Sequence, residues 1–331
     1  MSRIAVLHGA GYVGRELIRL LIGHPRAELT CVTSRSFAGK PLDAAHPELR
    51  SQHSLKFSGP EDADLEAADA VLVAAEHTRG AAMVAELLSG GFEGPVIDLS
   101  ADHRFVNTTA YEILYGVRHP APEQQMAFQY GVPEIFAPYG CRCIANPGCF
   151  ATGMLLSLWP LHTHLGPFTA TVIALTGASG SGARPKPATH YPTRDGNVRA
   201  YKALSHQHLP EITQFLNPDT RIAFVPVSGP WTRGIWGLVQ MEIGVDPAAI
   251  GQWYKQVYGA QPFVRLWPDT LPELRAAVHT PFCDIGWVVR DQHLVIGFAL
   301  DNLLKGAASQ AIQNLNLLMG WPHAAGLLLA S

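Results

Sequence analysis

The sequence predicts a two-domain α/β protein, and three observations carry that prediction. At 331 residues the chain is too long for one small core and suits two domains. Short apolar runs at 3–7, 70–75 and 95–100, with 28–33, read as strands of a buried parallel sheet. The first run ends at Gly9-Ala10-Gly11-Tyr12-Val13-Gly14, which opens an amphipathic helix over 15–21. Strand, G-x-G-x-x-G and helix in that order form a dinucleotide-binding turn, because glycines let the backbone approach a pyrophosphate at a helix N-terminus. Gly9, Gly11, Tyr12, Val13 and Gly14 are therefore the expected cofactor contacts.

Composition narrows the class. The chain is 47% hydrophobic and 15% charged, with a net charge of −3, so it lacks the basic excess of a nucleic-acid binder. No segment approaches the roughly 20 apolar residues that span a bilayer, and Met1-Ser2-Arg3-Ile4 does not read as a cleavable signal. Five cysteines are too few and too odd for a disulfide framework. The expected setting is the cytoplasm, with no membrane and no nucleic acid. Glycines (31) and prolines (25) are scattered, which points to many turns rather than to a linker.

The second strand runs into Thr33-Ser34-Arg35-Ser36, where NAD-specific sites commonly place a carboxylate for the ribose 2′-hydroxyl. Here Ser34 and Arg35 suit a 2′-phosphate instead, which predicts NADP(H). The strand over 70–75 is followed by Glu76-His77-Thr78-Arg79-Gly80, at the end of the sheet where ligands bind. The strand over 95–100 is followed by Ala101-Asp102-His103-Arg104-Phe105. Arg104 is the expected clamp for a carboxylate or phosphate, and His103 reads as structural.

Asn146-Pro147-Gly148-Cys149 is a turn sequence, and 150–158 reads as a helix. Cys149 then sits at a helix N-terminus, where unpaired N–H groups and the dipole favour a thiolate. It is the candidate nucleophile. A strand over 170–176 leads to the small-residue loop 177–185, in which Ser179 and Gly180 permit close approach to a ligand. His206 and His208 alternate, so in an extended segment both would face one way, and either suits acid–base work beside Cys149. Glu211 is expected to orient a histidine or to serve the start of a helix. A zinc reading of these histidines with Cys141 and Cys143 is set aside, because C-x-C lacks the usual ligand spacing; no metal is expected. Further strands read at 222–227, 234–243 and 294–300. The last enters Asp301-Asn302, where Asn302 is expected to touch the nicotinamide. The final helix, over 307–318, is expected to pack back on the first domain.

Taken together, six stretches resemble the N-acetyl-γ-glutamyl-phosphate reductase family of the aspartate-semialdehyde-dehydrogenase superfamily. They are Gly11-Tyr12-Val13-Gly14-Arg15-Glu16-Leu17, Asp98 to Phe105, Asn146 to Thr152, His206-Gln207-His208-Leu209-Pro210-Glu211-Ile212, Cys283-Asp284-Ile285-Gly286 and Asp301 to Ala307. The resemblance implies a Rossmann-type NADP-binding domain (1–148 and 303–331) and an α/β catalytic and dimerisation domain with a mixed sheet (149–302). It implies a homodimer or homotetramer that reduces a small acyl phosphate to an aldehyde through a thioester on Cys149. Asn146, Arg104, Arg184 and Lys202 are the substrate contacts it suggests, with Arg194 and Arg199 in the same segment. The sequence departs from the family at His8, where a glycine is usual, and at Ala10, where a serine is usual. The stretches Val32 to Gly39 and His190 to Lys202 resemble instead a lysine-pathway relative that reduces an aminoadipyl phosphate carried on an acidic amino-group carrier protein. A non-enzymatic alternative is an NADP-binding redox sensor on the same fold. Reaction in the opposite direction, phosphorylating oxidation of the aldehyde, would use the same site.

Overall fold

The computed structural model describes residues 1–137 and 139–328. The chain forms two compact units, Met1–Pro147 together with the chain from Ala307 onward, and Gly148–Gly306.

The first unit begins with β1 (Ser2–Leu7), α1 (Tyr12–Ile22) and β2 (Ala27–Val32). It continues through β3 (Ala70–Val73), α2 (Gly80–Ser89), β4 (Val96–Asp98), α3 (Thr108–Tyr115), β5 (Phe128–Tyr130), α4 (Pro133–Phe136) and β6 (Cys143–Ala145). Its six strands are all parallel, in the order β2-β1-β3-β4-β6-β5. Ile4, Val6, Val71 and Leu72 have no exposed surface, as expected of a sheet covered on both faces. β1 lies between β2 and β3, so the chain leaves it in both directions. That switch point opens a crevice at the carboxyl ends of β1 and β3.

α1 turns Leu17, Ile18 and Leu21 to the core, each worth about 1.5–3 kcal/mol of apolar burial. It lies so close to the glycine turn that a Cβ on Gly14 would stand 2.3 Å from the Gly9 carbonyl oxygen.

The second unit opens with α5 (Cys149–Leu165) and β7 (Thr169–Thr176). An exposed excursion holding α6 (Tyr191–Arg194) and β8 (Arg199–Ala200) leads to α7 (His208–Thr213). Then come β9 (Arg221–Ser228), β10 (Ile235–Glu242), α8 (Pro247–Tyr258), β11 (Val264–Pro268), α9 (Leu274–Ala277), β12 (Cys283–Arg290) and β13 (His293–Leu300). The seven strands form the expected mixed sheet, β11-β12-β13-β10-β7-β9-β8, with parallel pairs only at β11–β12 and β7–β9.

α5 is apolar on all sides and almost wholly buried, so it is the central helix of this unit. Pro160 lies inside it and cannot donate to the Leu156 carbonyl. The Tyr258 hydroxyl from α8 donates to that carbonyl at 2.7 Å, which replaces the lost helix bond.

The chain closes with α10 (Ala308–Leu318), which packs on α1 of the first unit as the apolar pattern predicts. Asn316 Oδ1 meets His24 Nε2 at 3.0 Å, a buried polar tie between the final helix and the end of α1.

Candidate active site

Cys149 is the first residue of α5, and Gly148 is its N-cap with no side-chain cap. The first helical bond is Thr152 N–H to the Gly148 carbonyl, at 2.9 Å. The amides of Cys149, Phe150 and Ala151 therefore form the donor end of a 17-residue helix. The Gly148 N–H, by contrast, donates to Glu211 Oε1 at 2.8 Å, so that amide is taken. Glu211 is almost fully buried and binds α7 to the turn before Cys149.

The segment around the histidines is not extended. It turns at 205–207 and enters α7 at His208, because Pro210 and Glu211 suit a first helical turn. The two rings still meet, at 4.7 Å and 76°. Their environments differ. His208 packs on the turn: a Cβ on Gly148 would fall 2.3 Å from His208 Nε2. His206 Nδ1 accepts the His208 N–H at 3.1 Å, which fixes its tautomer. Burial, and then the Lys202 charge, push His206 down to about 4, so its ring is neutral at pH 7. Phe150 and Phe224 enclose it edge-on.

Tyr201 went unnoticed in the sequence. Its ring lies 5.7 Å from His206. Burial and then the Cys149 charge push its phenol up, while Arg194 pulls it down. Cys149, Tyr201 and Arg194 thus share one neighbourhood. Arg194 Nη2 donates to the Thr176 carbonyl at 3.0 Å, and its Nε is buried without a hydrogen-bond partner. The available signal was spacing: Tyr201 lies in the same short segment as both histidines.

Other expected residues have different surroundings. Arg104 is buried, with Nε donating to the Asn146 carbonyl at 2.8 Å and Nη2 to the Leu99 carbonyl at 2.9 Å. Two of its guanidinium donors are therefore committed to backbone carbonyls. Asn146 is also buried: its Nδ2 donates to the Ala307 carbonyl and its Oδ1 accepts from Asn314. Arg184 and Lys202 are exposed, and Lys202 Nζ donates to Gln207. His103 forms a buried pair with Asp98 at 2.7 Å and stacks on Phe128 at 3.8 Å, the structural role expected of it. Burial raises Asp98, but the His103 hydrogen bond and charge outweigh it and hold the carboxyl below its ordinary value.

Asn302 Nδ2 donates to Ser179 Oγ at 3.0 Å, and its Oδ1 accepts the Gly234 N–H at 2.7 Å. In the small-residue loop the amides of Gly177, Ala178 and Ser179 donate to carbonyls at 234, 231 and 232. Those three amides are taken within the protein and are not available to a ligand.

In the first unit a cavity of about 1080 Å³ opens at the switch point, lined by His8, Ser34, Arg35, Thr78 and Arg79 among others. Gly11 is the N-cap of α1, and a Cβ there would meet nothing within 4 Å. That open backbone is the place a pyrophosphate needs, so the residues fit a dinucleotide. His8 replaces the usual glycine at a backbone φ of 61°, the left-handed region glycine favours.

Among the described residues no group of three His, Cys, Asp or Glu could hold a metal, and no helix is long and apolar enough to cross a membrane.

Residues 3–138 match the family described as semialdehyde dehydrogenase, NAD binding domain, and residues 149–302 match semialdehyde dehydrogenase, dimerisation domain. The chain is 41% identical to the N-acetyl-γ-glutamyl-phosphate reductase of Methanocella arvoryzae, covering 99% of this chain and 98% of the relative. It is 37% identical to the (LysW)-L-2-aminoadipate 6-phosphate reductase of Deinococcus radiodurans, over 98% and 96%. The crystal structure of aspartate semialdehyde dehydrogenase II from Vibrio cholerae superposes with a TM-score of 0.75 at 18% identity, over 97% of this chain and 98% of that one. With a dinucleotide turn on one unit, a cysteine opening the central helix of the other and both domains matched, this chain belongs to the semialdehyde dehydrogenase family.

Proposed function

We propose that this chain is an NADPH-dependent N-acetyl-γ-glutamyl-phosphate reductase, which forms N-acetylglutamate semialdehyde and phosphate in arginine biosynthesis. The observation that carries this reading is Cys149 at the uncapped start of α5 beside the His206–His208 pair. The full-length similarity to the Methanocella arvoryzae enzyme supports the substrate.

His208 takes the Cys149 thiol proton, and the helix N-terminus stabilises the thiolate. The sulfur attacks the acyl carbon, the bond from that carbon to the phosphate oxygen breaks, and phosphate leaves a thioester. Gly9, Gly11, Gly14, Ser34 and Arg35 would hold NADPH, which when bound supplies the hydride for the thioester carbon. The amides at the start of α5 stabilise the resulting oxyanion. Its collapse re-forms the carbonyl as aldehyde and expels the Cys149 thiolate. We assign the acid–base role to His208, because burial brings His206 down to about 4, which makes it a weak base for a thiol, and its Nδ1 is occupied. Arg194 is the arginine we assign to the substrate's anionic group, on the strength of its buried Nε and its link to Cys149 through Tyr201.

A homo-oligomer accompanies this reading. The matched domain is a dimerisation domain, and β7 leaves Thr169, Thr171 and Ile173 exposed on one face, with Ile173 at 45%.

One observation favours a second substrate. Residues 181–205 are mostly exposed and carry Arg184, Lys186, Arg194, Arg199 and Lys202 against a single acid, Asp195. With the similarity to the Deinococcus radiodurans enzyme, this suits an acidic carrier bearing an aminoadipyl phosphate. Phosphate-dependent NADP reduction with two aldehydes, free N-acetylglutamate semialdehyde and the carrier-linked aminoadipate semialdehyde, tests both. Turnover of the free aldehyde supports the arginine reading; turnover of the carrier-linked one alone replaces it with the lysine reading. NADP binding with neither activity contradicts both and favours a redox sensor.

A further inference from the structure

Three loops meet at the switch point of the first unit, following the carboxyl ends of β1, β2 and β3. They bring His8, Arg35 and Arg79 to one cavity. Arg35 and Arg79 are both exposed, and neither guanidinium has a hydrogen bond or ion pair among the described residues. His8 senses both: burial holds its imidazole below the ordinary value, Arg79 and Arg35 push it lower, and Glu76 opposes them. Two uncommitted cations from different loops therefore act on one point at the cavity wall.

Arg79 is also held in place. It is the N-cap residue of α2, and the turn that presents it is fixed by Asp102. The Asp102 carboxylate accepts the Thr78 N–H at 2.7 Å and the Ala81 N–H at 3.0 Å. Asp102 thereby satisfies donors at the start of α2, so the anion-binding character of this loop rests on the Arg79 side chain rather than on the helix end. Asp102 itself has no exposed surface.

We infer that Arg79 is a second cofactor-binding cation, which together with Arg35 forms a two-loop subsite for the 2′-phosphate of NADP. This rests on the NADP reading above and extends it. Discrimination against NAD then comes from two guanidiniums rather than one. Glu76, on the same loop, repels the phosphate and weakens the site.

The test is equilibrium binding of NADP⁺ and NAD⁺ to the full chain, by calorimetry, for wild type, Arg35→Gln, Arg79→Gln and Glu76→Gln. A charge-assisted contact predicts that Arg79→Gln weakens NADP⁺ by roughly tenfold or more and NAD⁺ by less than about twofold. Glu76→Gln strengthens NADP⁺ selectively. The double variant Arg35→Gln/Arg79→Gln loses most of the preference, and 2′,5′-ADP follows NADP⁺ while 5′-AMP follows NAD⁺. Equal weakening of both cofactors by Arg79→Gln, or none, overturns the subsite while leaving the NADP reading intact. A wild type that binds NAD⁺ as tightly as NADP⁺ overturns the NADP reading and the subsite with it.

Discussion

Glu211 Oε1 accepts the Gly148 N–H at 2.8 Å, and so fastens α7 to the residue that precedes the proposed nucleophile. The same short helix begins with His208, whose Nε2 occupies the space a Cβ on Gly148 would need. One contact pair therefore sets the turn, the cysteine and the His208 ring together.

Glu211→Ala should leave the buried Gly148 amide without its acceptor, at a cost of about 1–3 kcal/mol in stability. It should also lower kcat, because the turn that aims Cys149 is released. Glu211→Gln keeps a carbonyl acceptor and should retain much more activity. Equal loss in both variants, read by steady-state kinetics, would point to a role for the charge instead. Gly148→Ala should displace His208 and reduce kcat at least 100-fold with the fold intact by circular dichroism.

The glycine turn separates binding from packing. Gly11→Ala adds a methyl that meets no protein atom, so thermal stability should hold while NADP⁺ affinity falls. Gly14→Ala drives a Cβ to 2.3 Å from the Gly9 carbonyl oxygen and should destabilise the first unit itself. Calorimetric binding and melting curves for the two variants check this. A Gly11→Ala enzyme with wild-type NADP⁺ affinity would remove the pyrophosphate from this turn.

His206 makes stability depend on pH in a defined direction. Its folded value of about 4 lies below the ordinary 6.5, so the unfolded chain binds more protons between those values. Stability from this group is fully present above pH 6.5 and is lost as pH falls toward 4, by about 3 kcal/mol. His206→Gln should flatten that slope in denaturant titrations. In activity the proposed assignment predicts the larger effect at the other ring: His208→Gln is expected to lose about 10²–10⁴-fold, and His206→Gln far less. The opposite ranking would make His206 the proton carrier.

Arg194→Gln should raise KM for the acyl substrate by roughly 10–100-fold with a smaller change in kcat, as for a lost charge-assisted contact. Arg184→Ala, at an exposed position, should change KM little. Similar effects of both would spread substrate recognition over the basic segment.

His103→Phe would remove one hydrogen bond from the buried Asp98 carboxylate, which keeps its two Ser100 donors, and should cost about 1–3 kcal/mol. Stability of the Asp98→Asn/His103→Phe double variant should exceed that of His103→Phe. A double variant no more stable would assign the cost to packing on Phe128.

Local signals carried the fold and the place of Cys149 in it. A strand, a glycine turn and a helix lie within 22 residues of the start, and the Asn-Pro-Gly turn puts Cys149 at a helix start by adjacency alone. What escaped the sequence depended on distant partners. Arg104 reads as a clamp until the Asn146 and Leu99 carbonyls appear around it. The two histidines read as equals until the His208 N–H occupies His206 Nδ1 and the His208 ring packs on Gly148. Arg79 looks like any loop arginine until β1, β2 and β3 bring its loop beside Arg35. A guanidinium's role is set by what surrounds it, and spacing does not encode those surroundings.

The central claim is that Cys149 forms the acyl-enzyme. Rapid mixing of the full chain with NADP⁺ and N-acetylglutamate semialdehyde, without phosphate, isolates that step. A burst of about one NADPH per subunit is predicted, followed by near arrest, with turnover restored on adding phosphate and no burst from Cys149→Ser. Steady turnover without a burst, or a burst that survives Cys149→Ser, would contradict it.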